Sequence, residues 1–140
     1  MTLDRAMAGL GVHEFVTAVL AELDGSTLRW CNAGHPPPVL LGSDGRARLL
    51  ETVPEPLLGL AAAGRSDNTV ELEAGSTLVF YTDGLVERRA EPLDRGLAWL
   101  TGAIEGRHEL GAEAICDHLL AQLDPTSDDD VALLVVRLDA

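Results

Sequence analysis

Residues 78–85 read Leu78-Val79-Phe80-Tyr81-Thr82-Asp83-Gly84-Leu85, so four apolar or aromatic side chains are followed almost at once by an acidic one. An unbroken apolar run is typical of a strand covered on both faces, and we expect residues 78–81 in the middle of a sheet. Asp83 then lies at the strand's end, where rigid backbone at the rim of the core would hold its carboxylate. A precise chemical site can be built at such a position.

A second group of acids precedes the other strongly apolar strand. Asp128, Asp129 and Asp130 come directly before residues 131–136, which are Val, Ala and Leu only. Two unit charges 4 Å apart repel by about 1 kcal/mol in water and about 4 kcal/mol near a protein surface. Mg²⁺ or Mn²⁺ would relieve this repulsion, because both ions prefer carboxylate and water oxygens. The alternative is a turn in which the Asp side chains bond local backbone, and the spacing alone leaves both interpretations open.

Three turn signals upstream of these acids predict antiparallel hairpins. The signals are Asp24-Gly25, Asp44-Gly45 and the segment from Glu73 to Ser76. The predicted hairpins pair residues 15–23 with the run from Thr27, residues 39–41 with 46–51, and residues 68–72 with 77–82.

Helical spacing marks residues 94–105 and 111–123, and a short helix is expected over residues 3–10. In the second long helix one apolar face is predicted, and Asp124-Pro125 ends it; the face comprises Ala114, Ile115, His118, Leu119 and Leu123. Hairpins, then two helices, then a last strand indicate an α+β fold with mostly antiparallel sheet, in one domain over residues 1–140. The number of strands favours two sheets, with a single curved sheet as the alternative.

The charge of the chain excludes several kinds of partner. Its 140 residues carry 23 acidic and 10 basic side chains, all of the latter Arg, for a net charge of -13. Nucleic-acid phosphates and anionic membranes attract positively charged proteins, so we expect neither as the main partner of this negatively charged chain. A chain without Lys cannot form a P-loop. We predict no membrane span or signal peptide, a cytoplasmic location, and reduced Cys31 and Cys116.

One histidine stands in a corner rich in Gly and Pro, at His35 within Asn32–Pro38. A histidine there can act as a base, an acid or a metal ligand. The other interpretation, which we favour, is a corner residue whose hydrogen bonds hold the turn.

Three segments, taken in order, resemble the metal-dependent protein phosphatases (PPM), specifically their bacterial SpoIIE/RsbU-like branch. Their order and spacing make the combination more specific than any one of them, and the resemblance runs from about residue 12 to the C-terminus. The segments are Phe15-Val16-Thr17-Ala18 through Cys31-Asn32-Ala33-Gly34-His35-Pro36-Pro37-Pro38, then Phe80-Tyr81-Thr82-Asp83-Gly84-Leu85-Val86-Glu87, then Asp129-Asp130-Val131-Ala132-Leu133-Leu134-Val135-Val136.

The resemblance implies a fold and a site. The fold is an α-β-β-α sandwich of two antiparallel sheets flanked by helices, with a two-metal Mn²⁺ or Mg²⁺ site at one edge. Asp83 and Asp129 match metal ligands, and Asp130 matches a neighbouring position that accepts hydrogen bonds behind them. Gly84 would let the backbone turn close to the metals, and the corner around His35 is structural.

The resemblance also implies an activity, the hydrolysis of phosphoserine or phosphothreonine on a protein. The expected substrate is a phosphorylated anti-anti-sigma protein of the STAS type, in sigma-factor regulation by partner switching. The alternative is a catalytically inactive phosphatase-like module that binds a regulatory protein through its sheet edge, and a homodimer is a further expectation.

The family's first motif has no counterpart in this sequence. That motif is an Asp-containing strand before a Gly-rich turn, and its Asp bridges both metals. Asp4 lies on a helix tail and Asp24 in a hairpin turn, so neither matches it. We therefore expect these residues to correspond to the C-terminal part of a phosphatase domain, lacking its leading strands.

Overall fold

A computed structural model describes residues 3–60, 64–123, 125 and 129–139, so Asp124 and Asp128 lie outside the described residues. The chain forms two compact units, one of Met1–His35 and Thr52–Glu71, the other of Pro36–Glu51 and Leu72–Ala140. Each contains one antiparallel sheet, which confirms the α+β class with two sheets. The elements are α1 (Leu3–Gly9), β1 (Ala18–Asp24), β2 (Thr27–Ala33), β3 (Val39–Leu41), β4 (Ala47–Leu49), β5 (Asn68–Glu71), β6 (Thr77–Tyr81), α2 (Leu93–Ile104), α3 (Ala112–Leu120) and β7 (Leu133–Arg137).

The sheet of the first unit has the order β1-β2-β5. Strands β1 and β2 form the predicted hairpin, from Ala18 opposite Ala33 to Asp24 opposite Thr27, and Gly25 takes the positive φ of 59° that its tight turn requires. In β2, Leu28, Trp30 and Asn32 are buried and Arg29 is exposed, which is the alternation of a strand with one face on a core. Strand β1 is an edge strand and is mostly exposed.

The sheet of the second unit has the order β4-β3-β6-β7. Its interior strand β6 pairs with β3 on one side and β7 on the other, which confirms the position predicted from its apolar run. Helices α2 and α3 bury one face each in the same core. That core comprises Val39, Leu41, Val79, Tyr81, Leu85, Val86, Leu97, Leu100, Ile104, Ile115 and Leu119.

The third predicted hairpin is wrong. Residues 68–72 do not pair with residues 77–82, because β5 pairs with β2 in one sheet and β6 lies in the other. The turn itself forms, with the Ser76 amide donating to the Glu73 carbonyl at 3.0 Å. However, the Gly75 amide and the Ser76 carbonyl bond Leu138, just beyond β7, at 2.8 and 2.9 Å. The backbone groups at this turn are thus used by the last strand of the chain.

The two long helices appear where the spacing predicts them, with shorter bounds for the second. In α3, Ile115 and Leu119 are fully buried, whereas Ala114 is exposed, so its place on the apolar face is a wrong prediction. Cys31 and Cys116 are free thiols. Among the described residues, no helix combines the length and the apolar character that crossing a membrane requires.

Candidate functional site

The pairing of β6 with β7 brings the two acidic segments together. Tyr81 lies opposite Leu133, and the Thr82 amide extends the ladder by donating to the Ala132 carbonyl at 3.0 Å. Because the strands are antiparallel, the end of β6 and the start of β7 share one edge of the sheet. Asp83 and Asp129 therefore lie at the same edge, although 46 positions separate them in the sequence.

The side chain of Thr82 ties the two segments to each other. Its hydroxyl accepts a hydrogen bond from the Ala132 amide at 2.8 Å and donates one to the Asp130 carbonyl at 3.3 Å. Sequence reasoning did not assign Thr82 a role. The available signal was its place directly before Asp83-Gly84, at the end of an apolar strand.

Gly84 lies against the second acidic segment. A Cβ at this position would lie 2.5 Å from the Asp130 carbonyl oxygen and 3.4 Å from the Asp129 Cβ. Any larger residue would therefore push the two segments apart. The Gly84 amide also donates to Oδ1 of Asp83 at 3.0 Å, which orients that carboxylate. The backbone at Gly84 thus passes close to the second acidic segment, and its predicted role beside a bound metal stays a prediction.

The carboxylates of Asp83, Asp129 and Asp130 are all exposed at this edge. Within the described part of the chain, no group of three or more His, Cys, Asp or Glu side chains is placed to hold a metal ion. Two carboxylates nevertheless suit Mg²⁺ or Mn²⁺, because Mg²⁺ is commonly held by one or two carboxylates plus water and substrate phosphate oxygens. The two carboxylates, and the small Gly84 between their segments, therefore fit a metal of this kind, with Asp83 and Asp129 as its candidate ligands.

The segment after Asp83 is anchored in the core of the second unit. Residues Asp83–Leu85 form a short 3-10 turn, and the Glu87 amide donates to the Asp83 carbonyl at 2.8 Å. Leu85 and Val86 are buried. A Cβ on Gly96 would collide with the Val86 carbonyl oxygen, so the start of α2 packs directly on this backbone. The edge that carries Asp83 is thus held from both the strand and the helix side.

The corner around His35 has the geometry of a structural turn. The Asn32 side chain accepts from the His35 amide and donates to the His35 carbonyl, both at 2.8 Å. The His35 ring lies 3.0 Å from the Thr17 hydroxyl. Gly34 has a φ of 67°, and a Cβ there would collide with Leu57. These contacts hold the corner, as we favoured.

Comparison with known proteins gives concordant matches. The family model of "Stage II sporulation protein E (SpoIIE)" matches residues 1–139. A structure of the RsbU and RsbW domains of a Mycobacterium tuberculosis protein is 30% identical, with a TM-score of 0.82 over 98% of this chain and 40% of that one. This chain therefore spans less than half of that structure's length.

Two further structures share the fold. The PP2C phosphatase domain of the Bacillus subtilis cell fate determinant SpoIIE, with a fragment of its regulatory domain, is 21% identical, with a TM-score of 0.70 over 88% of this chain and 38% of that one. RsbX in complex with magnesium is 16% identical, with a TM-score of 0.68 over 95% of this chain and 61% of that one. At these identities the likeness concerns the fold alone.

Proposed function

The chain belongs to the SpoIIE family, and from that membership we propose that residues 1–140 are part of a metal-dependent protein serine/threonine phosphatase domain. The observation that carries this proposal is that Asp83 and Asp129 lie at one edge of the sheet, where Gly84 packs against Asp129 and Asp130. The proposed reaction is hydrolysis of phosphoserine or phosphothreonine. It is a proposal for the whole protein, because the chain spans only part of the structures it matches.

The chain's residues have distinct proposed roles at this site. Asp83 and Asp129 would hold Mn²⁺ or Mg²⁺, which when bound supplies a positive charge on the phosphate oxygens and an activated water. The Gly84 amide keeps Oδ1 of Asp83 in place, and Asp130 would accept hydrogen bonds behind the ligands. Two such ions would change the net charge from -13 to -9 and would do so where acids are most crowded.

The proposed biological setting is bacterial sigma-factor control by partner switching, in the cytoplasm. Support comes from the 30% identity to a structure that contains an RsbU domain. The substrate would then be a phosphorylated anti-anti-sigma protein of the STAS type.

The first test measures phosphate release. We expect Mn²⁺-dependent release of phosphate from a phosphoserine peptide by the protein that the longest natural open reading frame containing this chain encodes. The double variant D83N/D129N should lose it, because both candidate ligands lose their charge. The matched control is D44N/D139N, which removes two exposed acids, one in the β3–β4 turn and one beyond the end of β7. Unchanged activity in D83N/D129N would reject the proposed site.

A second candidate function is a non-catalytic binding module, possessing the fold without the activity. The observation that favours it is the edge strand β1: among the described residues no strand pairs with its outer side, and its Leu20 side chain is 73% exposed. Exposed edges of this kind pair with other chains, and a homodimer through β1 is one form. Light scattering that finds only monomer at high micromolar concentration would count against that form.

A further inference from the structure

An arginine-rich segment follows the acidic site. Arg88, Arg89 and Arg95 are three of the ten arginines of the chain, and they fall within eight residues that also contain Glu91 and Asp94. Arg95 is paired with Glu91 at 3.8 Å, so Arg88 is the candidate here. The rest of the charge is unfavourable for an anionic substrate, since the net charge is -13 and three exposed aspartates stand at the site. A phosphorylated protein approaching Asp83 therefore needs local positive charge.

Arg88 is held in a geometry suited to binding an anion. Its Cζ lies 4.6 Å from the centroid of the Trp99 ring, a cation–π contact. Trp99 is half-buried and packs against the core of the second unit, so the ring is a firm support. Among the described residues, the Arg88 guanidinium makes no ion pair. A guanidinium stacked on a ring keeps its in-plane N–H donors available for a carboxylate or phosphate.

The backbone around Arg88 is unusual. The Glu91 amide donates to the Arg88 carbonyl at 3.2 Å, which closes a turn over residues 88–91. Within this turn Ala90 has a φ of 63°, and no other described non-glycine residue has a positive φ. L-residues disfavour this conformation, and such positions are found preferentially at binding sites. The turn therefore presents Arg88 in one defined place rather than on a freely varying loop.

We propose that Arg88, supported by Trp99, binds carboxylate side chains that flank the phosphorylated residue of the protein substrate. This inference rests on the proposed phosphatase function. Five residues separate Asp83 from Arg88, so their Cα atoms are less than about 18 Å apart. An extended peptide rises about 3.3 Å per residue. A carboxylate within five positions of a phosphoserine held at Asp83 can thus reach the Arg88 guanidinium.

The test is a binding measurement without metal. Four fluorescein-labelled peptides of one length combine serine or phosphoserine with flanking Asp and Glu or with flanking Asn and Gln. Fluorescence anisotropy in EDTA at low salt gives the Kd of each for the wild-type chain, R88Q and R46Q. Arg46 is the matched control, because it is exposed and lies in the β3–β4 turn, at the opposite end of the sheet from Asp83.

We expect acidic flanks to tighten binding about tenfold in the wild type and in R46Q, the size of one charge-assisted hydrogen bond. R88Q should abolish that preference. Equal affinity for acidic and neutral flanks in the wild type would overturn the inference. The inference would also be overturned if R88Q weakened binding of the phosphoserine peptides equally with acidic and neutral flanks. That result would assign Arg88 to the phosphoryl group.

The binding measurement and the phosphate-release assay together separate this inference from the phosphatase proposal. A flank preference that depends on Arg88, in a protein without Mn²⁺-dependent activity, would support the anion site while rejecting the enzyme. Mn²⁺-dependent activity without any preference for acidic flanks would support the enzyme and reject the anion site. W99F should keep the preference and W99L should reduce it, because only the first retains a ring beneath the guanidinium.

Discussion

Gly84 lies where two segments distant in sequence come closest. We expect G84A to lower the free energy of unfolding by about 1–3 kcal/mol, since its Cβ would lie 2.5 Å from the Asp130 carbonyl oxygen. The affinity for Mn²⁺ should fall with it, because the segments carrying Asp83 and Asp129 must separate. Denaturant unfolding and calorimetry measure the two effects.

The control for this substitution is G102A. Gly102 lies in α2 with open space around a Cβ. Because alanine is the better helix former, G102A should raise the free energy of unfolding by up to about 1 kcal/mol. Equal stability of G84A and the wild type would contradict the close approach at Gly84.

Thr82 gives a second prediction for a single residue. T82V removes the hydroxyl that joins Ala132 to Asp130. We expect a loss of about 1 kcal/mol in the free energy of unfolding, the net value of a typical hydrogen bond. Amide hydrogen exchange at Ala132 should also become faster. T82S keeps the hydroxyl and should retain most of the protection of the Ala132 amide against exchange. Faster exchange of that amide in T82S but not in T82V would contradict this role.

At the scale of elements, the turn over residues 88–91 stores backbone strain at Ala90. A left-handed conformation costs an L-residue roughly 1–2 kcal/mol, whereas glycine adopts it freely at an entropic cost of about 0.5–1 kcal/mol. A90G should therefore raise the free energy of unfolding by about 0.5–1 kcal/mol in thermal or denaturant unfolding. A98G, at an exposed position of α2, should lower it by about 1 kcal/mol.

Helix α1 is attached to the first unit through Asp4. The pKa of the Asp4 carboxyl lies below its ordinary value, chiefly because the Gly59 amide donates a hydrogen bond to Oδ1 of Asp4 at 3.0 Å. Desolvation by burial opposes this effect, and Arg65, 3.1 Å away, lowers the pKa further. A carboxyl whose pKa is depressed on folding contributes stability above its ordinary value of 3.8, and this is lost as the pH falls through the folded value.

We therefore expect hydrogen exchange of α1 to become faster relative to β6 as the pH is lowered below about 4. D4N should show the fast behaviour already at neutral pH and should remove the dependence. A dependence that persists in D4N would assign the effect to another group.

At the scale of the whole molecule, the sequence predicts the elements better than their partners. Asp24-Gly25 and Asp44-Gly45 correctly predict two hairpins, because short connections impose the pairing of adjacent strands: two residues join β1 to β2, and five join β3 to β4. The segment from Glu73 to Ser76 is also a turn, yet the strands on either side of it belong to different sheets. A local turn signal does not indicate whether a distant strand, here β7, will form hydrogen bonds with the same backbone groups.

The candidate site shows the same division. Strand-end acids could be predicted from the sequence, because an apolar run followed by Asp places a carboxylate at a sheet edge wherever the strand lies. The role of Thr82 could not, because its partners Ala132 and Asp130 lie about fifty positions away and only the β6–β7 register brings them near. The side-chain contact of Arg88 with Trp99 likewise needs α2 to pack beside the turn.

The sequence by itself determined the strand and helix positions, the two close hairpins, the interior place of β6 and the acids at strand ends. Each of these depends on neighbouring residues, whose spacing and turn chemistry act over a few positions. Only the tertiary structure decided that β5 and β6 belong to different sheets, that Asp83 and Asp129 lie at the same sheet edge, and that Gly84 must remain small. Those features depend on strand pairing between residues far apart, where backbone hydrogen bonding and packing choose among partners that local patterns make equally acceptable.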